Sequence, residues 1–244
     1  MDRWSGKVCV VTGASAGIGA AICIALADRG VTVVGLARRA HLVDVSIMKQ
    51  TNNERNKQQC DVSDPKQVAA TFTSIEQEFG GVHALINNAG VFHDGQCTGN
   101  NTFEDLLLST IDINLKGPII CTRHAVTIMK RHQIDGHIIT INSIAGHYVP
   151  FASNFNVYPA TKHAITAFHQ SLWNELSHFK SRIKTTSISP GLTDTDIVPQ
   201  EILNAGWPAL KPQDVADAVV YVLSTPTAVN INELTITPIT EKRL

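Results

Sequence analysis

Short apolar runs alternate with longer helical stretches along the chain. The runs are rich in β-branched residues and end at glycine, asparagine, proline or polar positions, which favours strands. They occupy residues 8–11, 31–36, 82–86, 136–142, 183–189 and 235–237. Helical stretches fill the intervals, at residues 20–29, 65–79, 102–131, 158–177 and 212–223. Because strands that alternate with helices form a parallel sheet covered on both faces, the pattern predicts an α/β fold.

The ends of several predicted elements carry local signals. Asp64 precedes Pro65, which gives one helix a favourable N-cap followed by proline at the first helical position. Gly30 is placed to end the first helix. Residues 49–59 are polar, and the strand expected just before Asp61 is only weakly indicated. No repeat, low-complexity tract or linker divides the sequence, so we expect one domain over residues 1–244.

Composition and charge exclude several classes of protein. Apolar residues make up 43% and charged residues 17%, as in a folded domain. The net charge of −1 provides no broad cationic field for nucleic acid or a membrane surface. Five separated cysteines without a CxxC pair, and ten histidines without an HExxH motif, argue against a disulfide framework or a metal site. Since neither a signal peptide nor a membrane-length apolar run is evident, we expect a cytoplasmic protein.

A glycine-rich turn directly follows the first predicted strand. Residues 12–19 read TGASAGIG and lead into a helix. Glycines let backbone N–H groups approach a pyrophosphate, and a helix N-terminus favours its negative charge. The spacing differs from GxGxxG and many glycine turns bind nothing, so the position between strand and helix carries the prediction of a dinucleotide site. Its candidate contacts are Gly13, Ser15, Gly17, Ile18 and Gly19.

The second predicted strand ends in two arginines, Arg38 and Arg39. An NAD site usually has a carboxylate near this point for the ribose 2′-hydroxyl, yet residues 31–41 contain none. A guanidinium can bind a 2′-phosphate through two parallel hydrogen bonds. The pattern therefore favours NADP over NAD, and the alternative is a solvated arginine pair.

Tyr158 and Lys162 stand four residues apart and share one face of a predicted helix. An ammonium beside a phenol is expected to lower the pKa of the phenol and poise it to exchange a proton with a substrate oxygen. Ser143 follows the strand at 136–142, at the end of a parallel sheet where ligands bind. Each signal is weak alone, because YxxxK is common and a serine here is equally a turn or cap residue.

Five motifs occur in order and at suitable spacing. They are TGASAGIG, NNAG at residues 87–90, Ser143, the pair Tyr158 and Lys162, and Pro190-Gly191. This set resembles the short-chain dehydrogenase/reductase family, and the resemblance covers nearly the whole chain. Stretches such as VVGLARR and SIAGHYV are similar to the farnesol dehydrogenase-like reductases of insects, whose vertebrate relatives reduce steroid and other ketones.

The resemblance implies a three-layer, Rossmann-like fold whose central parallel sheet has about seven strands with helices on both faces. It implies that Tyr158 is the general acid/base, that Lys162 binds the nicotinamide ribose and tunes Tyr158, and that Ser143 orients the substrate. It adds Asn114 as the support of a water-linked proton relay to the lysine. A homodimer or homotetramer is also implied.

The remaining cofactor contacts follow from the same resemblance. Asp61 and Val62 match the pair beside adenine, and Asn88 and Gly90 match positions that line the cofactor. The strand end and loop near the nicotinamide amide are matched by Pro190, Gly191 and Thr193.

These expectations describe an NADP(H)-dependent oxidoreductase that transfers a hydride reversibly between its cofactor and a hydrophobic alcohol, aldehyde or ketone. The resemblance favours a farnesol-like isoprenoid. Two segments supply residues for an apolar substrate wall, which isoprenoids, steroids and retinoids fit equally well. These residues are Leu192, Ile197, Val198, Ile202, Leu203 and Trp207 in one segment, and His147, Tyr148, Val149, Phe151 and Phe155 in the other. Residues 192–210 are expected to form a substrate lid, although core or oligomer contacts would explain their composition equally well.

Two other functions remain open at this point. A broad-specificity carbonyl or steroid ketone reductase would use the same residues on many ketones. A catalytically silent NADPH-sensing protein would keep the fold without the chemistry. The presence of Ser143, Tyr158 and Lys162 together argues against the silent protein.

Overall fold

Among the residues that the structure describes, seven parallel strands form the middle layer. A computed structural model describes residues 1–43, 56–98, 104–150 and 154–241. The strands, from β1 to β7, are Val8–Thr12, Thr32–Ala37, Lys57–Gln59, Ala84–Asn87, His137–Ile141, Lys184–Pro190 and Glu233–Ile236. Their order in the sheet is β3-β2-β1-β4-β5-β6-β7, and every neighbouring pair is parallel.

Helices cover both faces of this sheet. From α1 to α7 they are Gly17–Ala27, Pro65–Phe79, Glu104–Ile111, Gly117–Arg131, Tyr158–His178, Gln200–Asn204 and Pro212–Ser224. Short 3₁₀ turns lie at Asp2–Trp4, Ala40–Leu42 and Ile144–Gly146, and a π-helix at Asp112–Lys116 leads directly into α4. Within the described ranges, no helix has the length and apolar character needed to cross a bilayer.

Two apolar cores join the sheet to its helical layers. Side chains of β1 alternate between them, with Cys9 and Val11 in one core and Val8 and Val10 in the other. Helices α1 and α7 close the first core, and α2, α4 and α5 close the second. Every residue of β1 is buried, as expected for a central strand of a parallel sheet covered on both faces. The predicted three-layer α/β fold is confirmed.

The weakly indicated strand before Asp61 exists, although its residues are polar. Strand β3 pairs with residues 35–37 of β2 and forms one edge of the sheet. An edge strand pairs through its backbone and keeps its side chains partly exposed, so an apolar sequence is not required. Residues 49–55 lie outside the described part of the chain.

The helical stretch expected over residues 102–131 is helical throughout from Glu104 to Arg131, but it is not one regular α-helix. Helix α3 ends at Ile111, the π-helix follows, and α4 begins at Gly117. A π turn accommodates an extra residue in the helical repeat, and such turns recur at functional sites. Ile113 and Asn114 are buried within it. Residues 102 and 103 lie outside the described part of the chain.

The order of the strands reverses beside β1. The chain runs outward from β1 to β2 and β3, then returns to β4 on the other side of β1. In an open parallel sheet, a ligand crevice forms at the carboxyl ends of the strands where the order reverses. The glycine turn follows β1, and the NNAG motif begins at the end of β4, so both motifs lie at this crevice.

Candidate active site

The backbone conformation and the close packing of the turn after β1 require glycine at three positions. Gly13 and Gly17 have φ values of 70° and 54°, in the left-handed region that favours glycine. A Cβ atom on Gly19 would collide with the carbonyl oxygen of Gly13. The side-chain amide of Asn88 donates to the carbonyl oxygens of Thr12 at 3.0 Å and Gly13 at 3.3 Å. The turn is therefore held closely against the end of β4.

This turn separates two cavities. Ser15 lines one of them and Ile18 lines the other. Ala16, the N-cap residue of α1, makes no side-chain cap hydrogen bond, so the first N–H groups of the helix lack a side-chain acceptor there. A helix N-terminus in this state favours an anionic group between the two cavities.

The cavity on the Ser15 side, named here the arginine cavity, is lined by several of the predicted cofactor contacts. Those among its lining residues are Gly13, Ser15, Arg38, Arg39, Asp61, Val62 and Gly90. Both arginine side chains are exposed, and among the described residues neither forms a salt bridge. The predicted contacts Gly17 and Gly19 belong to the turn itself, and Asn88 holds the turn through its side chain. The predicted contacts that line the second cavity are Ile18, Tyr158, Pro190, Gly191 and Thr193, whereas Lys162 is not among the described lining residues of either cavity. A glycine cradle that Cβ atoms would fill, with cations at one end, fits a phosphate-containing dinucleotide.

The second cavity, named here the catalytic cavity, brings Ser143 and Tyr158 together. Ser143 follows β5, and its hydroxyl accepts a hydrogen bond from the Ala145 N–H at 3.1 Å. Tyr158 is the first residue of α5, whose first turn contains a proline. Lys162 lies one turn later, with Nζ 5.6 Å from the centroid of the Tyr158 ring. The sequence-predicted trio therefore converges at the carboxyl end of β5.

Burial dominates the electrostatics of this trio. It raises the pKa of Tyr158, while a side-chain hydrogen bond with Ser143 acts in the opposite direction. Burial also lowers the pKa of Lys162 to about 8. The Lys162 ammonium donates to the carbonyl oxygen of Ile141 at 3.1 Å. The direction for Tyr158 thus differs from the sequence-based expectation, because burial outweighs the hydrogen bond with Ser143.

Asn114 links the loop after β4 to the catalytic helix. Its Oδ1 accepts from the Val91 N–H at 2.8 Å, and its Nδ2 donates to the Val91 carbonyl oxygen at 2.8 Å. Nδ2 also lies 3.5 Å from the hydroxyl of Thr161, the neighbour of Lys162 in α5. The buried side chain therefore fixes the backbone of the loop that carries Gly90.

The far walls of the catalytic cavity are mostly apolar. Of the residues proposed from sequence, Leu192, Ile197, Val198, Ile202, Tyr148 and Phe155 line it, as do the predicted cofactor contacts Ile18, Pro190, Gly191 and Thr193. His147, Val149, Leu203 and Trp207 are not among its described lining residues, and Phe151 lies outside the described part of the chain. Phe92 adds an aromatic wall, with its ring edge-on to Tyr158 at a centroid distance of 5.5 Å.

Sequence reasoning missed Glu241, which also lines the catalytic cavity. The Leu192 N–H donates to its carboxylate at 3.2 Å, and burial raises the pKa of the carboxyl group. Gly191 approaches it so closely that a Cβ atom there would collide with the carboxylate. No local pattern marked Glu241, because only the fold brings the C-terminal segment back to the loop after β6.

His147 follows Ser143 closely in sequence but is directed to another group. Its Nε2 lies 2.9 Å from the Ser189 hydroxyl and 3.4 Å from Glu233 Oε1, and Ser189 donates to that same carboxylate oxygen at 2.7 Å. These contacts tie the turn after β5 to β6 and β7. In the described part of the chain, no group of three or more His, Cys, Asp or Glu residues is arranged to hold a metal ion.

Comparisons with known proteins identify the family of this chain. The sequence model described as short chain dehydrogenase matches residues 7–204. The farnesol dehydrogenase of Aedes aegypti is 44% identical over 245 residues, covering 99% of this chain and 100% of that protein. Mouse dehydrogenase/reductase SDR family member 11 is 36% identical over 98% of this chain and 96% of its own length.

A solved structure titled the closed form of serine dehydrogenase complexed with NADP⁺ is 30% identical to this chain. The two structures superpose with a TM-score of 0.85, over 97% of this chain and 96% of that one. The chain belongs to the short-chain dehydrogenase/reductase family and is an oxidoreductase of the alcohol dehydrogenase and carbonyl reductase type.

Proposed function

We propose that the protein interconverts a hydrophobic alcohol and its aldehyde or ketone with NADP(H), and that a farnesol-like isoprenoid is its substrate. The observation that carries this proposal is the catalytic cavity, where Ser143 and Tyr158 meet walls that are otherwise mostly apolar. Such walls favour a hydrophobic molecule, and two convergent hydroxyl groups orient its one polar end. The name of the mosquito relative supports an isoprenoid alcohol.

In the proposed mechanism, Tyr158 removes the proton of the substrate hydroxyl during oxidation and returns it during reduction. Ser143 holds the same oxygen by a hydrogen bond and, through its contact with Tyr158, favours the phenolate. Lys162 would bind the nicotinamide ribose and would lie on the route of proton transfer to Tyr158. Asn114 fixes the loop after β4 and would support that route. The nicotinamide that these residues would hold would supply the hydride-transfer chemistry.

The proposed cofactor contacts divide along the crevice. The turn containing Gly13, Gly17 and Gly19 receives the pyrophosphate, with the N-terminus of α1. Arg38 and Arg39 receive the 2′-phosphate, which selects NADP over NAD. The other assigned contacts beside adenine, along the cofactor and at the nicotinamide end are Ser15, Ile18, Asp61, Val62, Asn88, Gly90, Pro190, Gly191 and Thr193.

Residues 192–210 are proposed to close over the substrate as a lid. Leu192, Ile197, Val198 and Ile202 line the catalytic cavity, and α6 lies within this segment. Closure of such a segment excludes water from the reacting atoms, which strengthens the interactions of Tyr158 and Ser143 with the substrate oxygen.

The test follows the absorbance of reduced nicotinamide with farnesol, using NADP⁺ and NAD⁺ in parallel. We expect turnover with NADP⁺ and much weaker turnover with NAD⁺. Tyr158→Phe should lower kcat by at least about a hundredfold, since it removes the proton-transferring group. Tyr221→Phe, on the exposed face of α7, makes the same chemical change away from the site and is the matched control.

Binding of NADPH to Tyr158→Phe, measured by fluorescence titration, shows that the variant is folded. Full turnover by this variant would contradict the assignment of Tyr158. Equal activity on ketones of unrelated shape would instead favour a broad carbonyl reductase. Binding of NADPH with no turnover of any alcohol or carbonyl would favour the silent protein.

A further inference from the structure

A third cavity lies at the amino ends of the strands, opposite the carboxyl ends that carry the catalytic cavity. We name it the amino-end cavity. Lys7 precedes β1, His83 precedes β4, and His137 and Lys184 are the first residues of β5 and β6; all four line it. Because the described strands are all parallel, these residues lie together at the amino ends of the strands, and the proposed catalytic residues lie at the carboxyl ends.

The amino-end cavity has an excess of positive charge. Arg3 and Arg182 join Lys7 and Lys184 in its wall, and Asp135 is its one carboxylate among the described lining residues. Asp135 is already paired with Arg182, at 2.8 Å between carboxylate oxygen and Nε. Four cationic side chains therefore face one carboxylate, which leaves three positive charges without a counterion in the described part of the chain.

Neutral oxygens hold two of these cations in place. Arg3 donates to the carbonyl oxygen of Leu223 at 2.7 Å. Lys184 donates to the Thr225 hydroxyl at 2.7 Å and to the Pro226 carbonyl oxygen at 3.3 Å. These bonds orient the guanidinium and the ammonium without neutralising them. Burial, with a smaller effect of the neighbouring Arg3 charge, lowers the pKa of Lys184 to about 8.

The two histidines add hydrogen-bonding groups to the same wall. His137 is 1% exposed; its Nε2 lies 2.8 Å from the Thr186 hydroxyl, and its Nδ1 is buried with no partner among the described residues. His83 accepts from the Val8 N–H through Nδ1 at 3.2 Å, so in the neutral ring Nε2 carries the proton. Buried polar atoms without partners are rare in native structures and require an explanation.

We propose that the amino-end cavity binds a small, multiply charged anion of the phosphate type. Phosphate oxygens accept hydrogen bonds from guanidinium and ammonium groups, and Arg3, Lys7 and Lys184 supply both. The neutral ring of His83 supplies a further donor. Free phosphate and the phosphate group of a small ester share this chemistry. Such a site lies apart from the proposed cofactor contacts, which are at the carboxyl ends of the strands.

The test titrates inorganic phosphate into the full-length protein by calorimetry at pH 7.5, with ionic strength held constant by sodium chloride. Saturating NADP⁺ is present, so that Arg38 and Arg39 do not bind the probe. We expect saturable binding at one site. Lys7→Gln, at an exposed position where folding is not at risk, should raise the dissociation constant at least about tenfold. Lys66→Gln makes the same change on the exposed face of α2 and should leave binding unchanged.

Further variants separate the amino-end cavity from the proposed cofactor site. Binding of phosphate that is lost in Arg39→Gln and kept in Lys7→Gln would overturn the proposal, as would a titration that does not saturate. Loss in Lys7→Gln with retention in Arg39→Gln supports it. Glycerol phosphate then distinguishes the sources: tighter binding than inorganic phosphate assigns an ester, and weaker binding assigns free phosphate.

Discussion

Burial sets the pKa of Lys162, one of the proposed catalytic residues at the carboxyl ends of the strands. Lys162 is 7% exposed, and among the described residues the acceptor of its ammonium is the carbonyl oxygen of Ile141. Its pKa, lowered to about 8, shows that the fold keeps a cation in a place that disfavours charge. Residues held under such a cost are typical of functional sites, where stability is lost in exchange for chemistry.

At the same scale, Arg38 and Arg39 are expected to decide the choice of cofactor. Replacing both with glutamine removes the two guanidinium groups from the arginine cavity. We expect KM for NADP⁺ to rise at least about tenfold while KM for NAD⁺ changes little, because only NADP⁺ carries a 2′-phosphate. Initial rates with each cofactor measure this, with Arg123→Gln on α4 as the control. A parallel loss with both cofactors would argue against a 2′-phosphate contact.

The π-helix shows how one irregular element positions several parts of the site. It interrupts a continuous helical sequence and places Asn114 where both polar ends of its amide bind the backbone of Val91. Just beyond it, Gly117 begins α4 so close to Val62 that a Cβ atom would lie 3.0 Å from a Val62 methyl group. The same segment therefore braces the loop after β4 and one wall of the arginine cavity.

At the scale of this element, Asn114→Leu is expected to lower the free energy of unfolding by about 2–4 kcal/mol, because the N–H and carbonyl of Val91 lose their partners. Turnover should fall with it, since Val91 belongs to the loop that carries Gly90. Urea denaturation and kcat measure the two effects. Gln77→Leu, on the exposed face of α2, is the matched amide-to-leucine control. Unchanged stability of Asn114→Leu would contradict this role for the π-helix.

In the whole molecule, the two ends of the parallel strands carry different chemical groups. The carboxyl ends carry hydroxyl, apolar and glycine positions, and the amino ends carry cations and neutral histidines. This arrangement follows from topology, because in a parallel sheet all strands begin on one side and end on the opposite side. One fold thus presents two separate sites for anionic groups, one proposed for the cofactor and one for a phosphate-type ligand.

The stability of the whole molecule in acid depends on His137, a buried residue at the amino end of β5. Burial lowers its pKa to about 3, whereas the unfolded side chain titrates near 6.5. The unfolded state therefore binds one more proton below pH 6.5, and stability falls as pH decreases from there toward 3. Between pH 7.5 and 5.0 this group alone should remove about 2 kcal/mol from the free energy of unfolding.

Urea denaturation of the protein and of His137→Gln at both pH values isolates this contribution. The variant should lose about 2 kcal/mol less than the parent protein on acidification. The exposed His178→Gln is the control, and it should behave like the parent. An equal loss in His137→Gln and the parent would show that the buried imidazole does not govern acid stability.

The order of elements, the glycine turn and the spacing of Tyr158 and Lys162 could be predicted because they are local. Strand and helix periods, turn glycines and positions four apart on a helix are all written in neighbouring residues. The ordered motifs also predicted the family. The polar strand β3 escaped a clear prediction, since an edge strand is defined by backbone pairing with β2 rather than by its side chains.

Tertiary structure decided what depends on residues distant in sequence. It placed a π turn at Asn114 within the long helical stretch, brought Glu241 to Leu192, and selected which apolar residues line the catalytic cavity. It also set the direction of the Tyr158 pKa, because desolvation depends on every group packed around the phenol. The sequence by itself determined which chemical groups this oxidoreductase carries and on which elements they stand. Only packing determined which of them meet and how much water each one loses, because both depend on the whole fold.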